Sequence, residues 1–223
     1  MHGMKPKACL VVGMGRGLGL SVARRFGCEG YRLGLIARSA ASLENYAGAL
    51  ELDGCTVQTF PADVARTPQL ISAIREAERQ LGPIEVLVYN AYSSLGSRAS
   101  ELSLEALEQT LQVNLHGALL AAQLVIPGML SRRKGTLLFS GGGLALNPQP
   151  DQAALAIGKA ALRALVGALS KELYQEGIHV ATVTIAGPIR RNTAFDPDLI
   201  AEKFWELHAQ PPGRWKTEVI YQG

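Results

Sequence analysis

The sequence predicts an α/β protein: one doubly wound domain around a mostly parallel, seven-stranded sheet. Three observations carry this. Apolar runs of strand length alternate with helix-length amphipathic segments, the pattern of βαβ units. The first strand, ACLVV, runs through a glycine-rich turn into a helix. The 223 residues, 48% hydrophobic and 18% charged, are enough for one core of this kind, and no repeat, low-complexity tract or linker divides them.

Taken in order, the apolar runs place strands at Ala8–Val12, Arg32–Ile36, Thr56–Phe60, Glu85–Tyr89, Thr136–Ser140 and His179–Thr184. Between them fall helices at Gly17–Phe26, Ala41–Leu52, Thr67–Gln80, a long stretch Leu104–Leu130, and Gln152–Tyr174. In the last of these, Leu162, Leu165, Val166, Leu169 and Leu173 recur at helical spacing as one buried stripe, and Gly177 sits just past the end. Asp196–Gln210 reads as a final helix, and Trp215–Tyr221, after QPPG, as the seventh strand. The domain spans 4–223. The second methionine in MHGMK marks Met4 as the native start and Met1–Gly3 as an expression remnant.

The net charge of +3 is spread along the chain, with local basic runs only at Arg132–Lys134 and Arg190–Arg191, which argues for solvated surface and against nucleic-acid binding. Three cysteines without a CxxC pair point to a reducing, cytoplasmic setting with no structural metal. The longest apolar run, Gly117–Leu130, is interrupted by Pro127 and falls short of a membrane span, so no membrane association is expected.

CLVVGMGRGLGLSVARRF places glycines at 13, 15, 17 and 19 between a strand and a helix. Glycine permits the tight turn and close backbone approach, and the helix N-terminus aims N–H groups and its dipole at a phosphate. This is a Rossmann-type dinucleotide site. The spacing Gly13-x3-Gly17-x-Gly19 resembles the short-chain dehydrogenase/reductase superfamily, with Val12 where a threonine is usual. Further matches follow in order: Asp63 in ADV, Asn90 in YNAY, Asn114 in LQVNLHG, Lys159 in GKAAL, and Gly187 in TIAGPI. The resemblance covers Lys7 to about Pro188. It implies a cofactor site made of Gly13, Gly15, Arg16, Gly17, Leu18, Gly19, Arg38, Ser39, Asp63, Val64, Asn90, Ala91, Lys159, Gly187 and Ile189.

The second strand ends in Ala37, where an NAD-preferring enzyme carries an acid for the ribose 2′-hydroxyl, and Arg38 follows. A guanidinium there binds a 2′-phosphate through paired charge-assisted bonds, and Arg16 reaches the same region. The expected cofactor is NADP(H).

Carbonyl reduction in this superfamily uses an asparagine, a serine, a tyrosine and a lysine, the lysine holding the ribose and lowering the tyrosine pKa. Asn114 and Lys159 match two of these. The tyrosine position, one turn before the lysine, is Leu155; the alternative two turns before is Gln152; the serine position is Gly142. None of the three supplies a useful proton. Tyr92 and Ser140, at the ends of the fourth and fifth strands, are the candidates to replace them, and they complete a catalytic set of Asn114, Lys159, Tyr92 and Ser140. The short segment after Pro188 leaves little room for a lid, so an open or subunit-shared pocket lined by Phe195, Phe204 and Trp205 is expected.

The sequence therefore favours an NADP(H)-dependent oxidoreductase that transfers hydride to a small carbonyl, enone or imine with an atypical proton donor. The competing readings are a catalytically inactive NADP(H)-binding sensor or partner protein, and a non-redox enzyme on the same scaffold. Helices apolar around much of their circumference predict a homodimer or homotetramer.

Overall fold

The computed structural model describes residues 7–96 and 98–223, and the expected remnant Met1–Gly3 and start at Met4 lie outside the described residues. Strand β1 (Ala8–Val12) is buried at every position. Its sequence is accordingly a continuous apolar run, because a central parallel strand is covered on both faces. The other strands are β2 (Arg32–Ala37), β3 (Val57–Pro61), β4 (Ile84–Tyr89), β5 (Gly135–Gly142), β6 (Ile178–Ile185) and β7 (Glu218–Tyr221). They form one seven-stranded sheet in the order β3-β2-β1-β4-β5-β6-β7. Every pairing is parallel, so the mostly parallel sheet expected from the sequence is parallel throughout. The strand order reverses between β1 and β4, and the crevice beyond their C-terminal ends is the topological switch point where such sheets bind ligands.

Helices α1 (Leu18–Cys28), α2 (Ala40–Leu52) and α7 (Pro197–His208) cover one face of the sheet, and α3 (Thr67–Leu81), α5 (Gly117–Arg132) and α6 (Ala153–Leu173) the other. The stretch expected as a single helix from Leu104 is three pieces: α4 (Leu104–Leu111), a π-helical turn Gln112–His116, and α5. The wide turn contains Asn114, which is 1% exposed. Pro127 lies inside α5 without ending it. The continuous helical runs Leu104–Arg132 and Ala153–Glu176 are each long and apolar enough to cross a membrane by length and composition, which corrects the shorter run counted from sequence. Here α5 and α6 pack their apolar stripes, Ala118 to Met129 and Leu162 to Leu173, on the sheet.

The seventh strand begins at Glu218 instead of Trp215. Trp215 stacks flat on His179, with ring centroids 5.1 Å apart, and donates its Nε1–H to the Gln210 carbonyl at 3.0 Å. Near it, at the N-terminal edge of the sheet, lies a polar chain whose Glu85, Thr136 and His208 border a second cleft of about 700 Å³. Tyr31 Oη donates to Glu85 Oε1 at 3.3 Å and lies 2.7 Å from His208 Nε2, and His208 Nδ1 lies 2.9 Å from Thr136 Oγ1. A neutral imidazole satisfies all three contacts: Nε2–H donates to Tyr31 and Nδ1 accepts from Thr136. Burial pushes the His208 pKa down to about 4.

Candidate active site

At the opposite edge, a cleft of about 860 Å³ opens over the crevice between β1 and β4. Its floor is the glycine turn. Gly13 has φ +88°, and a Cβ there would collide with the Ala91 backbone, so a side chain is excluded both by conformation and by space. Gly19 lets α1 approach the turn, since a Cβ would lie 3.2 Å from the Gly13 carbonyl and 3.3 Å from Asn90 Nδ2. Gly15 and Gly17 differ: a Cβ on either would meet nothing within 4 Å. Gly17 also precedes α1 with no side-chain cap, which leaves the helix end facing the cleft for an anion.

Of the residues expected at the cofactor, Gly13, Gly15, Arg16, Gly17, Leu18, Gly19, Arg38, Asp63, Val64, Asn90, Ala91, Lys159, Gly187 and Ile189 line this cleft. Asn90 works partly from behind, its Nδ2 donating to the Gly13 carbonyl at 2.9 Å and clamping the turn to the end of β4. Asp63 accepts the Ala65 N–H at 3.0 Å, which shapes the loop after β3. Ser39 stands apart from these. It does not line the cleft; its Oγ accepts the Ser42 N–H at 3.2 Å as the N-cap of α2.

Lys159 reaches the cleft from α6 and is 8% exposed. Its Nζ donates to the Ser140 carbonyl at 2.7 Å and lies 5.9 Å from the centre of the Tyr92 ring. A buried ammonium with one carbonyl acceptor is poorly compensated, and burial lowers its pKa to about 8. Ser140 lines the cleft but is 6% exposed, and its hydroxyl makes one long contact, 3.4 Å to the Tyr89 carbonyl. Tyr92 also lines the cleft and is 66% exposed.

Asn114, expected among the catalytic groups, sits behind the cleft wall and does not line it. Its amide is committed at both ends, Oδ1 accepting the Ser93 N–H at 2.7 Å and Nδ2 donating to the Ser93 carbonyl at 3.0 Å. It therefore fixes the loop that carries Tyr92 and Ser93. Gly158 lets α6 pass this point, since a Cβ there would lie 2.9 Å from Asn114 Nδ2.

Leu155 lines the cleft one turn before Lys159. At Gly142 a Cβ would rest 3.4 to 3.5 Å from the Lys159 stem in ordinary contact, whereas at Gly141 it would crowd Thr184 and Thr182 Oγ1 at 2.6 and 2.7 Å. The side-chain positions at 142 and 155 thus both border the lysine. They hold no polar side chain.

Three aromatic expectations fail. Phe204 is fully buried in the core between α1, α7 and the sheet, and Trp205 packs edge-on against Phe26 with centroids 5.3 Å apart. Phe195 backs Gly187, where a Cβ would collide with its ring, and meets Tyr221 at 5.7 Å. None of the three lines the cleft. The apolar lining that sequence reasoning missed is Met14, Val113 and Ile185. The available signal was adjacency, since these residues neighbour Gly13, Asn114 and the Gly187 loop. No group of three or more His, Cys, Asp or Glu able to hold a metal occurs among the described residues.

Residues 7–196 match the short chain dehydrogenase family, and the chain belongs to it. It is 28% identical over 221 residues, 96% of this chain and 86% of the relative, to 2-(S)-hydroxypropyl-CoM dehydrogenase 3 of Xanthobacter autotrophicus. It is 30% identical over 182 residues, 82% of this chain and 70% of the relative, to 2,3-dihydro-2,3-dihydroxybenzoate dehydrogenase of Bacillus subtilis. Among solved structures, a metagenomic short-chain oxidoreductase in complex with NADP superposes with a TM-score of 0.87 at 25% identity, covering 96% of both chains.

Proposed function

We propose that the chain is an NADP(H)-dependent oxidoreductase that transfers hydride to a small carbonyl, enone or imine substrate. The observation that carries this is Lys159: a buried ammonium with a single carbonyl acceptor, facing a cleft whose other end is an uncapped, glycine-lined helix start flanked by Arg16 and Arg38. Those features match the parts of one molecule, with ribose hydroxyls for Lys159, a pyrophosphate over Gly15 and Gly17, and a 2′-phosphate for the arginines. When bound, NADPH supplies the hydride. The chain's own residues position it, with Gly187 and Ile189 bordering the far end and Asn90 and Asn114 holding the two loops between. The NADP complex of the metagenomic relative supports the cofactor assignment.

Of the two candidate proton donors, Tyr92 is open to the cleft but meets Lys159 with its ring, at 5.9 Å, and Ser140 is closed off. Titration calorimetry tests the cofactor: NADPH is expected to bind at least about tenfold more tightly than NADH, the scale of a lost charge-assisted pair. Equal affinities overturn the assignment. Leucine and glycine at positions 155 and 142 favour a second reading, a family member that lacks the usual proton-handling serine and tyrosine and only binds the cofactor. A panel of aldehydes, ketones, quinones, enones and imines separates the two, because tight NADPH binding without turnover of any of them supports the second. We further propose a homodimer or homotetramer, for which the exposed Leu104, Leu130 and Ile157 on α4, α5 and α6 argue, and a cytoplasmic setting, which three free cysteines suit.

A further inference from the structure

We propose that this cleft serves acceptors that become stabilised anions on taking a hydride, and that its substrate class is the quinones. The inference rests on the oxidoreductase reading above and asks what substrate the surroundings of Lys159 can process.

Three features converge. First, the cleft offers the reacting oxygen a charge more readily than an acid. Leu155 and Gly142 border Lys159 without a polar group, and the Ser140 hydroxyl is 6% exposed against the Tyr89 carbonyl. Tyr92 presents its ring toward the Lys159 ammonium at 5.9 Å. Secondly, the cleft that Lys159 lines has apolar wall residues, Met14, Val113, Leu155, Ile185 and Ile189. Thirdly, Tyr92 adds an aromatic surface, 66% exposed, at the mouth. A flat, apolar ring carrying a carbonyl fits such walls, because aromatic faces and edges pair favourably and polar groups in a binding cleft are few and fix orientation.

The chemistry selects the same class. A simple ketone that accepts a hydride becomes an alkoxide, a base too strong to persist in water, so its reduction gains from a proton delivered in the transition state, typically about 10²–10⁴-fold. A quinone that accepts a hydride, two electrons and one proton, from NADPH becomes a hydroquinone monoanion and leaves NADP⁺. The negative charge of that phenolate is delocalised, and phenols titrate near 10. Its second proton comes from water after the hydride has moved. A cation beside the oxygen, as Lys159 provides, stabilises this charge as it develops.

The experiment follows NADPH oxidation by the full chain with 9,10-phenanthrenequinone and with cyclohexanone, corrected for the uncatalysed rate, alongside NADPH binding by calorimetry. The quinone is expected to turn over with a solvent deuterium isotope effect close to one and with kcat/KM at least about 100-fold above the ketone, the scale of absent acid catalysis. The paired change Leu155→Tyr and Gly142→Ser is expected to narrow that ratio by raising the ketone rate at least about tenfold. If this variant does not fold, the isotope effect on the unaltered chain decides alone. A ketone rate matching the quinone rate, or an isotope effect of about 2 or more with the quinone, overturns the quinone assignment and leaves the oxidoreductase reading standing. Tight NADPH binding with neither compound reduced overturns the oxidoreductase reading, and this inference with it.

Discussion

The two ends of the sheet use the same kinds of residue to opposite effect. At the N-terminal edge, Tyr31, Glu85, His208 and Thr136 form a chain in which each buried polar group has a partner, and Lys134 pairs with Glu85 at 3.2 Å. At the C-terminal edge, Lys159 is buried with a single acceptor, α1 starts without a side-chain cap, and Gly15 and Gly17 border open space. Burial perturbs a titratable group at each end, taking His208 to about 4 and Lys159 to about 8. The difference is in what remains to be satisfied. The polar chain of the lower edge is satisfied within the protein, although His179 Nδ1 and Arg32 Nε on the same edge have no hydrogen-bond partner, whereas Lys159 at the upper edge is a buried charge with one acceptor.

The contrast is broken most severely at Gly13. Gly13→Ala forces a side chain into φ +88° and into Ala91, and is expected to cost about 2–4 kcal/mol in denaturant unfolding together with loss of measurable NADPH binding. Gly15→Ala, two residues on, meets nothing within 4 Å. It should leave stability within about 0.5 kcal/mol while weakening NADPH, and equal destabilisation by the two changes would show that the turn is structural alone.

Lys159→Met sharpens the comparison by separating stability from binding. Burial lowers the lysine pKa from 10.5 to about 8, so the folded state binds fewer protons than the unfolded state between those values. The cost of the buried charge is therefore full below about pH 8 and fades as pH rises to 10.5. Removing the ammonium is expected to stabilise the free protein by up to about 3 kcal/mol at pH 7, with little gain at pH 10.5. NADPH affinity should fall at the same time. Unfolding midpoints at the two pH values, with calorimetry at pH 7, check both halves.

His208 gives the corresponding test of the lower edge. Its neutral form is favoured on folding, so stability is complete above pH 6.5 and is lost as pH falls toward about 4. His208→Gln is expected to flatten that acid slope in thermal unfolding and to leave NADPH affinity unchanged. A change in NADPH affinity would mean that the two edges are coupled through the strands. The smallest effect is expected from Arg38→Gln, which should reduce the preference for NADPH over NADH by about tenfold in binding without a shift in stability, since Arg38 lies at the cleft rim.

The glycine-turn end of the cleft was legible in the sequence, because glycine spacing between a strand and a helix is a local requirement of backbone geometry. The capping role of Ser39 was not legible, because an N-capping serine and a phosphate-binding serine look alike until the cap bond to Ser42 is seen. Phe204 and Trp205 were misplaced because their positions on the last helix do not reveal which way it faces, and α7 turns them toward Phe26 and away from the cleft. Asn114 was found by its sequence setting, but its work is to hold the Ser93 loop, which becomes visible only when a residue 21 positions away is brought to hydrogen-bond distance.

By itself the sequence determined the α/β class, the alternation of strands and helices, the glycine turn and the identities Leu155 and Gly142 beside Lys159. These follow from periodicity and from the chemistry of single side chains, which need no partner to be read. Tertiary structure decided the parallel pairing of all seven strands, the π turn that interrupts the long helix, and the burial of Lys159 against one carbonyl. It also decided that the Tyr31–His208–Thr136 chain is satisfied while His179 Nδ1 is not. Those properties depend on contacts between residues far apart in the chain, and local sequence carries no record of which buried polar group has found its partner.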